Sequence, residues 1–200
     1  VTFTLLAGTA VQGANSVSYL FGTAIENLIG GADGDTFIFE DGVAGILTID
    51  ANGGSDTIDA SAQTSAQAVT LTGSTADGYA GTSSQGYSLA DVETFRASTA
   101  TTGDTLTTQD LAQTVVLTDA DSTANNGTHT FTFSDFDTLN TSTLVDTFTV
   151  DSTRAYTVNA GAGDDDFTIN NGGAGTFNGD ADNDDFFMGA GANVTGSING

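Results

Sequence analysis

An Asp, one further residue and then a large apolar residue, usually behind glycines, recurs along this chain. The copies are GGADGDTF (30–37), NGGSDTI (52–58), TTGDTL (101–106), LVDTF (144–148), GAGDDDF (161–167) and GDADNDDF (179–186). Their apolar members Phe37, Ile58, Leu106, Phe148, Phe167 and Phe186 are separated by 21, 48, 42, 19 and 19 residues, close to one or two multiples of a single period. Asp77-Gly78-Tyr79, 21 residues past Ile58, fills the first double gap. A fixed period of this length decides the architecture before any local propensity does. A second box, AIENL (24–28), DVETF (91–95) and DFDTL (135–139), accompanies the first. Ile25, Val92 and Phe136 precede Asp35, Asp104 and Asp146 by 10 or 12 residues, so both boxes belong to one repeating unit.

No stretch holds apolar positions at helical spacing for more than about ten residues. Short alternating runs at Val1–Leu5, Thr36–Phe39, Val69–Thr72, Thr114–Thr118, Thr130–Phe133, Thr147–Val150 and Tyr156–Val158 are β-branched or aromatic and bounded by Gly, Asn and Asp, which predicts many short strands. Ser61–Ala68 reads as a short helix or loop, and residues 81–100 as an irregular stretch thrown out of the repeat. Strands joined at Gly and Asp turns about 20 residues apart predict an all-β, right-handed parallel β-solenoid (a β-helix or β-roll). Each strand then pairs with its equivalent one coil on, about 4.8 Å away. The expected organisation is one continuous segment over 1–200, with Phe37, Ile58 and their equivalents in one interior column. Between Phe167, Phe177 and Phe186 the spacing halves to 10 and 9 residues, and only alternate turns are acidic. Two turns per coil therefore gather the acids on one edge.

The charge narrows the function. Two basic residues stand against 26 acidic ones, a net charge of −24. Nothing here neutralises a phosphate backbone, which excludes nucleic acid, and an anionic membrane surface is disfavoured. No apolar run is long enough to span a bilayer, so no membrane insertion is expected. Without cysteine there is neither a disulfide framework nor a thiolate ligand.

The turns resemble the glycine-rich nonapeptide G-G-x-G-x-D-x-U-x of RTX-type (haemolysin-type) calcium-binding repeats, where U is a large apolar residue. AGAGDDDFT (160–168) departs only at its first residue, and the resemblance places Asp165 at the metal and Phe167 in the core. GGADGDTFI (30–38) carries Asp33 at a glycine position and puts Asp35 on the metal. GDADNDDFF (179–187) keeps Asp184 and Phe186 with Asp180 and Asp182 where glycines belong, and ANGGSDTID (51–59) keeps Asp56 and Ile58. The candidate metal set is thus Asp165, Asp184, Gly161, Gly163, Asp164 and Asp182, with β-roll character strongest over 160–200, and Asp35, Asp33 and Asp56 nearer the start. Around Asp104 and Asp146 the glycines are lost, and solvated turns are expected. More broadly the pattern is similar to repeat regions of large bacterial adhesins and S-layer-like surface proteins, which implies an extracellular or cell-surface setting.

Calcium also follows from electrostatics. Carboxylates one coil apart repel by roughly 3 kcal/mol per pair at an effective dielectric of 20 and nearer 1 in water. Ca²⁺ takes six to eight oxygen ligands, which Asp side chains and Gly-turn carbonyls can supply, and it converts that repulsion into bridging. The plain alternative is that Asp and Gly are ordinary turn residues keeping a secreted chain soluble. No 12-residue EF-hand loop ending in Glu is present.

No enzyme is expected. The only cations for a polyuronate lyase are Arg96 and Arg154, in a field that repels an anionic glycan, and both read as salt partners of nearby Asp. His129 lies in a Thr-rich run without GxSxG or HExxH and reads as a surface strand residue. The T-x-T spacing at Thr128, Thr130 and Thr132 and at Thr147 and Thr149 is that of Thr ladders on ice-binding solenoids, although Thr is also simply a good strand former. The expected function is a structural repeat module, an adhesin stalk or S-layer-like segment. Its expected partners are calcium ions, neighbouring repeats of a parent chain and a host or cell-surface glycan or protein. The alternative is a glycan-binding surface or calcium-binding accessory region of a secreted polysaccharide-active enzyme, for which Tyr79, Tyr87 or Tyr156 would line a groove.

Overall fold

A computed structural model describes residues 2–6, 9–12, 15–17, 27–41, 47–171 and 173–200. Among these the chain is all-β, with many short strands in two largely parallel sheets, neither closed on itself. Every strand run predicted above is a strand within a residue or two, and Ser61–Ala68 is largely irregular. The box AIENL is described only from Asn27. The chain divides into two compact units, 1–104 and 105–200.

In the second unit the chain alternates strictly between sheets over its last sixty residues. Thr147–Asp151, Asp166–Asn171 and Asp185–Met188 pair in parallel in one sheet. Thr138–Asn140, Thr157–Asn159, Thr176–Asn178 and Ser197–Asn199 do so in the other. Inward positions stack in register: Val115, Phe148, Phe167 and Phe186 on one side, and Leu106, Leu139, Val158, Phe177 and Ile198 on the other. The Phe167 ring lies parallel to those of Phe148 and Phe186, at 4.3 and 4.6 Å, and edge-on to Phe177 at 6.2 Å, so the two inner faces meet around it. The halved spacing is therefore two strands per 19-residue repeat. Two interior columns replace the single one expected, and Leu106 belongs with Leu139 rather than with Phe148.

The first unit follows the same scheme. Thr36–Phe39, Thr57–Asp59 and Thr94–Arg96 align Phe37, Ile58 and Phe95, while Asn27–Ile29, Leu47–Asp50 and Tyr87–Val92 align Leu28, Ile49 and Leu89. All but Leu28 and Leu89, at 8% and 4% exposed, are fully buried.

Among the described residues the parallel pattern is broken by three antiparallel meanders: Thr2–Leu6, Thr9–Gln12 and Asn15–Val17; Ala68–Ser74, Tyr79–Ser83 and Tyr87–Val92; and Thr114–Thr118, Ser122–Asn125 and Thr130–Ser134. Residues 81–100 are accordingly not a loop. They are mostly strand, and Asp77-Gly78 turns an antiparallel hairpin instead of opening a coil. The meanders explain why the apolar spacing doubles between Ile58 and Leu106 and between Leu106 and Phe148. His129 falls in the turn before Thr130 rather than in a strand, with its N–H donating to Asn126 Oδ1.

Phe167→Ala removes a ring packed on three others and is expected to cost about 3–5 kcal/mol. Phe187→Ala, at a ring 56% exposed, is expected to stay within about 0.5 kcal/mol. Urea unfolding of both variants checks the contrast.

Candidate functional site

The Asp of each repeat sits just before an inward strand residue, and the structure places it inside. Asp35, Asp56, Asp104, Asp146 and Asp165 are at most 2% exposed. Asp104 and Asp146, expected as solvated turns, are both fully buried. Burial is possible because each carboxylate accepts a backbone N–H, for Asp56, Asp104, Asp146 and Asp165 from the equivalent position of a neighbouring coil and for Asp35 from Gly31 in its own turn. In the second unit Gln113 N–H donates to Asp146 Oδ1 (2.5 Å), Asp146 N–H to Asp165 Oδ1 (2.6 Å) and Asp165 N–H to Asp184 Oδ1 (3.1 Å). In the first, Asp35 N–H donates to Asp56 Oδ1 and Asp56 N–H to Glu93 Oε2, both at 2.6 Å, and Gln67 N–H donates to Asp104 Oδ1 at 2.6 Å. Gln67 and Gln113 replace the acid with an amide whose Nε2 donates to the carbonyl two residues back.

Glu93 was missed as a member of this column. Its signal is the triplet Glu93-Thr94-Phe95, which repeats Asp35-Thr36-Phe37, Asp56-Thr57-Ile58 and Asp146-Thr147-Phe148 with one added methylene.

Asp104 Oδ2 accepts the Thr101 hydroxyl at 3.3 Å, and the second oxygen divides the other Asp residues into two kinds. Asp35 Oδ2 accepts Gly31 N–H at 2.5 Å, and Asp146 Oδ2 accepts Ser142 N–H at 3.1 Å, in each case from four residues back. Asp56, Asp165 and Asp184 instead leave Oδ2 buried and without a hydrogen-bond partner. These three follow turns in which the residues four and two positions back have positive φ. The pairs are Asn52 and Gly54 (62° and 139°), Gly161 and Gly163 (104° and 122°), and Asp180 and Asp182 (74° and 81°). No positive φ occurs at Gly31, Asp33, Ser142 or Leu144, the corresponding positions before Asp35 and Asp146. The left-handed turn thus goes with an N–H that does not reach the carboxylate, and a buried oxygen is left over. At Gly163 the geometry requires glycine, since a Cβ would lie 2.8 Å from the Leu144 carbonyl carbon. Asp180 and Asp182 adopt the same conformation at the cost an L residue pays there.

The turns 161–165 and 180–184 also stack directly on each other. Ala181 N–H donates to Gly161 O (2.9 Å), Gly163 N–H to Asp182 Oδ2 (3.3 Å) and Asn183 N–H to Asp164 Oδ1 (3.1 Å). Near the start of the chain, Asn52 Nδ2 donates to Gly30 O (3.0 Å) and Gly53 N–H to Gly31 O (3.3 Å), while Asp33 is exposed. The structure therefore brings Asp165, Asp184, Gly161, Gly163, Asp164 and Asp182 together in one pair of stacked turns, and Asp35, Asp33 and Asp56 in another.

The donor set suits a hard cation. Asp56, Asp165 and Asp184 each offer one buried, unpartnered carboxylate oxygen, and carboxylate oxygen is the ligand chemistry of Ca²⁺. No three acidic or His side chains converge among the described residues, so backbone carbonyls and water must complete any coordination. Burial pushes the Asp165 carboxyl up to about 7; the Asp146 N–H opposes this, and the charges of Asp146 and Asp184 add to it. Glu93 is likewise pushed up to about 7, first by burial and then by Asp56 and Asp91, against the hydrogen bond from Asp56 N–H. Asp56 and Asp146 are raised for the same leading reason.

The other sequence candidates lie elsewhere. Arg154 pairs with Asp135 at 3.1 Å and lies 5.4 Å from the centre of the Tyr156 ring. Arg96 is exposed on a strand beside Asp59. Tyr79, Tyr87 and Tyr156 are 1%, 3% and 1% exposed and so line no exposed groove. No protein-family model, curated protein or solved structure matches the chain.

Two predictions follow from the column. A carboxyl raised on folding costs stability once ionised: nothing below its unfolded value near 4, then increasingly as pH rises through about 7. In chelator, Asp165→Asn, which keeps the Oδ1 acceptor but cannot ionise, is expected to gain stability over the parent at about pH 8 and not at about pH 4, read from urea midpoints. Separately, Asp182→Gly is expected to stabilise the metal-free fold by up to about 1 kcal/mol and Gly163→Val to cost more than about 2 kcal/mol, read from thermal melts in chelator.

Proposed function

We infer that this chain is a structural repeat module: a right-handed parallel β-solenoid of the RTX type, interrupted by antiparallel meanders and stabilised by calcium in its acidic turns. The observation that carries the reading is the coincidence of unpartnered buried oxygens at Asp56, Asp165 and Asp184 with paired left-handed residues in the preceding turns. The 19-residue register of the strands from Thr138 to Met188 supports the solenoid path, and parallel crossovers are overwhelmingly right-handed.

Asp165 and Asp184 hold one calcium region through Oδ2, with the Gly161 and Gly163 turn carbonyls, Asp164 and Asp182 around it. Asp56 holds another beside Asp35 and Asp33. The ion supplies positive charge to a column that otherwise ionises at a cost. At the millimolar calcium of an extracellular space and dissociation constants of about 10⁻⁴ to 10⁻³ M, each site contributes about 0.5–1.5 kcal/mol. Folding is then coupled to arrival outside the cell. The role is mechanical, carried out at a bacterial cell surface as an adhesin stalk or S-layer-like module. Its partners are calcium, flanking repeats and the surface glycan or protein that the parent engages. No catalytic step is assigned.

Far-UV circular dichroism melts in chelator, calcium and magnesium test this reading. A rise on the order of 10 °C with calcium alone, abolished by combining Asp56→Asn, Asp165→Asn and Asp184→Asn, is expected. A melt that is indifferent to calcium would overturn it.

A further inference from the structure

One face of the second unit is used by neither the acidic column nor the core. The strands Thr105–Thr107, Thr138–Asn140, Thr157–Asn159, Thr176–Asn178 and Ser197–Asn199 read TLT, TLN, TVN, TFN and SIN, and they pair in parallel with no shift of register. The middle residue points inward, and its two neighbours point outward, half-buried in the first four strands and exposed in the last. Two files result: Thr105, Thr138, Thr157, Thr176 and Ser197, and beside them Thr107, Asn140, Asn159, Asn178 and Asn199. Sheet geometry sets their repeat at about 4.8 Å along each file and about 6.6 Å between files.

Each amide of the second file is fixed by its neighbour. Asn159 Nδ2 donates to Asn140 Oδ1, Asn178 Nδ2 to Asn159 Oδ1 and Asn199 Nδ2 to Asn178 Oδ1, all at 2.7 Å, and Asn140 Nδ2 reaches Thr107 Oγ1 at 3.3 Å. Thr side chains are stiff at χ1 by β-branching. The array is therefore ordered before anything binds, which lowers the entropy cost of binding. In a chain of net charge −24 none of these ten positions is charged. The opposite sheet presents Thr147, Asp166 and Asp185 in one file and Thr149, Thr168 and Phe187 in the next, so it is neither neutral nor regular.

We propose that this face binds ice. A partner that matches a repeat in two directions is itself periodic, whereas a discrete small ligand requires a concave site. Ice is an uncharged lattice of hydrogen-bond donors and acceptors, met here by methyl, hydroxyl and amide groups in rows without a carboxylate to hold its own hydration shell. A crystalline sugar polymer is the other periodic candidate, but the one aromatic ring of these strands, Phe177, is fully buried and offers no platform for sugar rings. The proposal does not depend on calcium occupying the acidic column.

The 200-residue chain, in calcium-containing buffer, is tested for thermal hysteresis and for incorporation into slowly grown ice. Incorporation with shaped crystals is expected. Thr157→Lys with Thr176→Lys, melting like the parent, should fall to the level of a non-binding control protein, whereas Thr168→Lys on the opposite sheet should bind as the parent does. If the double variant does not fold, Ser197→Lys with Asn199→Lys at the exposed last strand should give a partial loss. Exclusion of the parent chain from ice, retention by crystalline cellulose or chitin in place of ice, or equal loss in Thr168→Lys overturns the proposal.

Discussion

The hydrogen bond from the backbone N–H of one column residue to the carboxylate of the next is the interaction on which the rest depends. It permits acids at positions that are otherwise interior, because a carboxylate with a charge-assisted acceptor role tolerates burial. It also links equivalent positions of neighbouring coils. Side chains alternate faces along a strand, so a slip of one residue would turn Phe148, Phe167 and Phe186 outward and break the Asp146–Asp165–Asp184 chain at once. Packing and polar satisfaction select the same register.

The column balances two demands. Each added coil brings another carboxylate, and burial is what raises Asp146 and Asp165, with the charges of Asp146 and Asp184 adding to it at Asp165. The turns respond in two ways. Where the i−4 amide reaches back, as at Asp35 and Asp146, the protein satisfies the second oxygen itself, and at Asp146 the Gln113 N–H satisfies the first as well. Where two left-handed residues intervene, as at Asp56, Asp165 and Asp184, one buried oxygen is left without a hydrogen-bond partner. The charge-free Thr and Asn files of the second unit stand apart from this edge, so one repeat places two different chemistries on separate surfaces.

The strands and the 19-residue period were legible because Asp-x-Phe and β-branched alternation are local signals. The positive φ at Asp180 and Asp182 was foreshadowed by their place at glycine positions of the turn pattern. The meander over Ala68–Val92 was not legible, since Asp77-Gly78 serves a hairpin as readily as a coil turn. The column of Leu106 is not legible, because D-T-L reads like D-T-F and only pairing with Leu139 reveals its sheet. The burial of Asp104 and Asp146 was hidden for a related reason. Acidity suggests solvent, whereas the amides that make burial tolerable come from Gln67 and Gln113, 37 and 33 residues away.

Native-state hydrogen exchange at the amides of Asp35, Asp56, Asp146 and Asp165 tests the column most directly. The account predicts that these N–H groups exchange as slowly as those of the strand around Phe167, and that calcium slows Asp146 and Asp165 further. Exchange at the rate of exposed turn amides, with or without calcium, would contradict it.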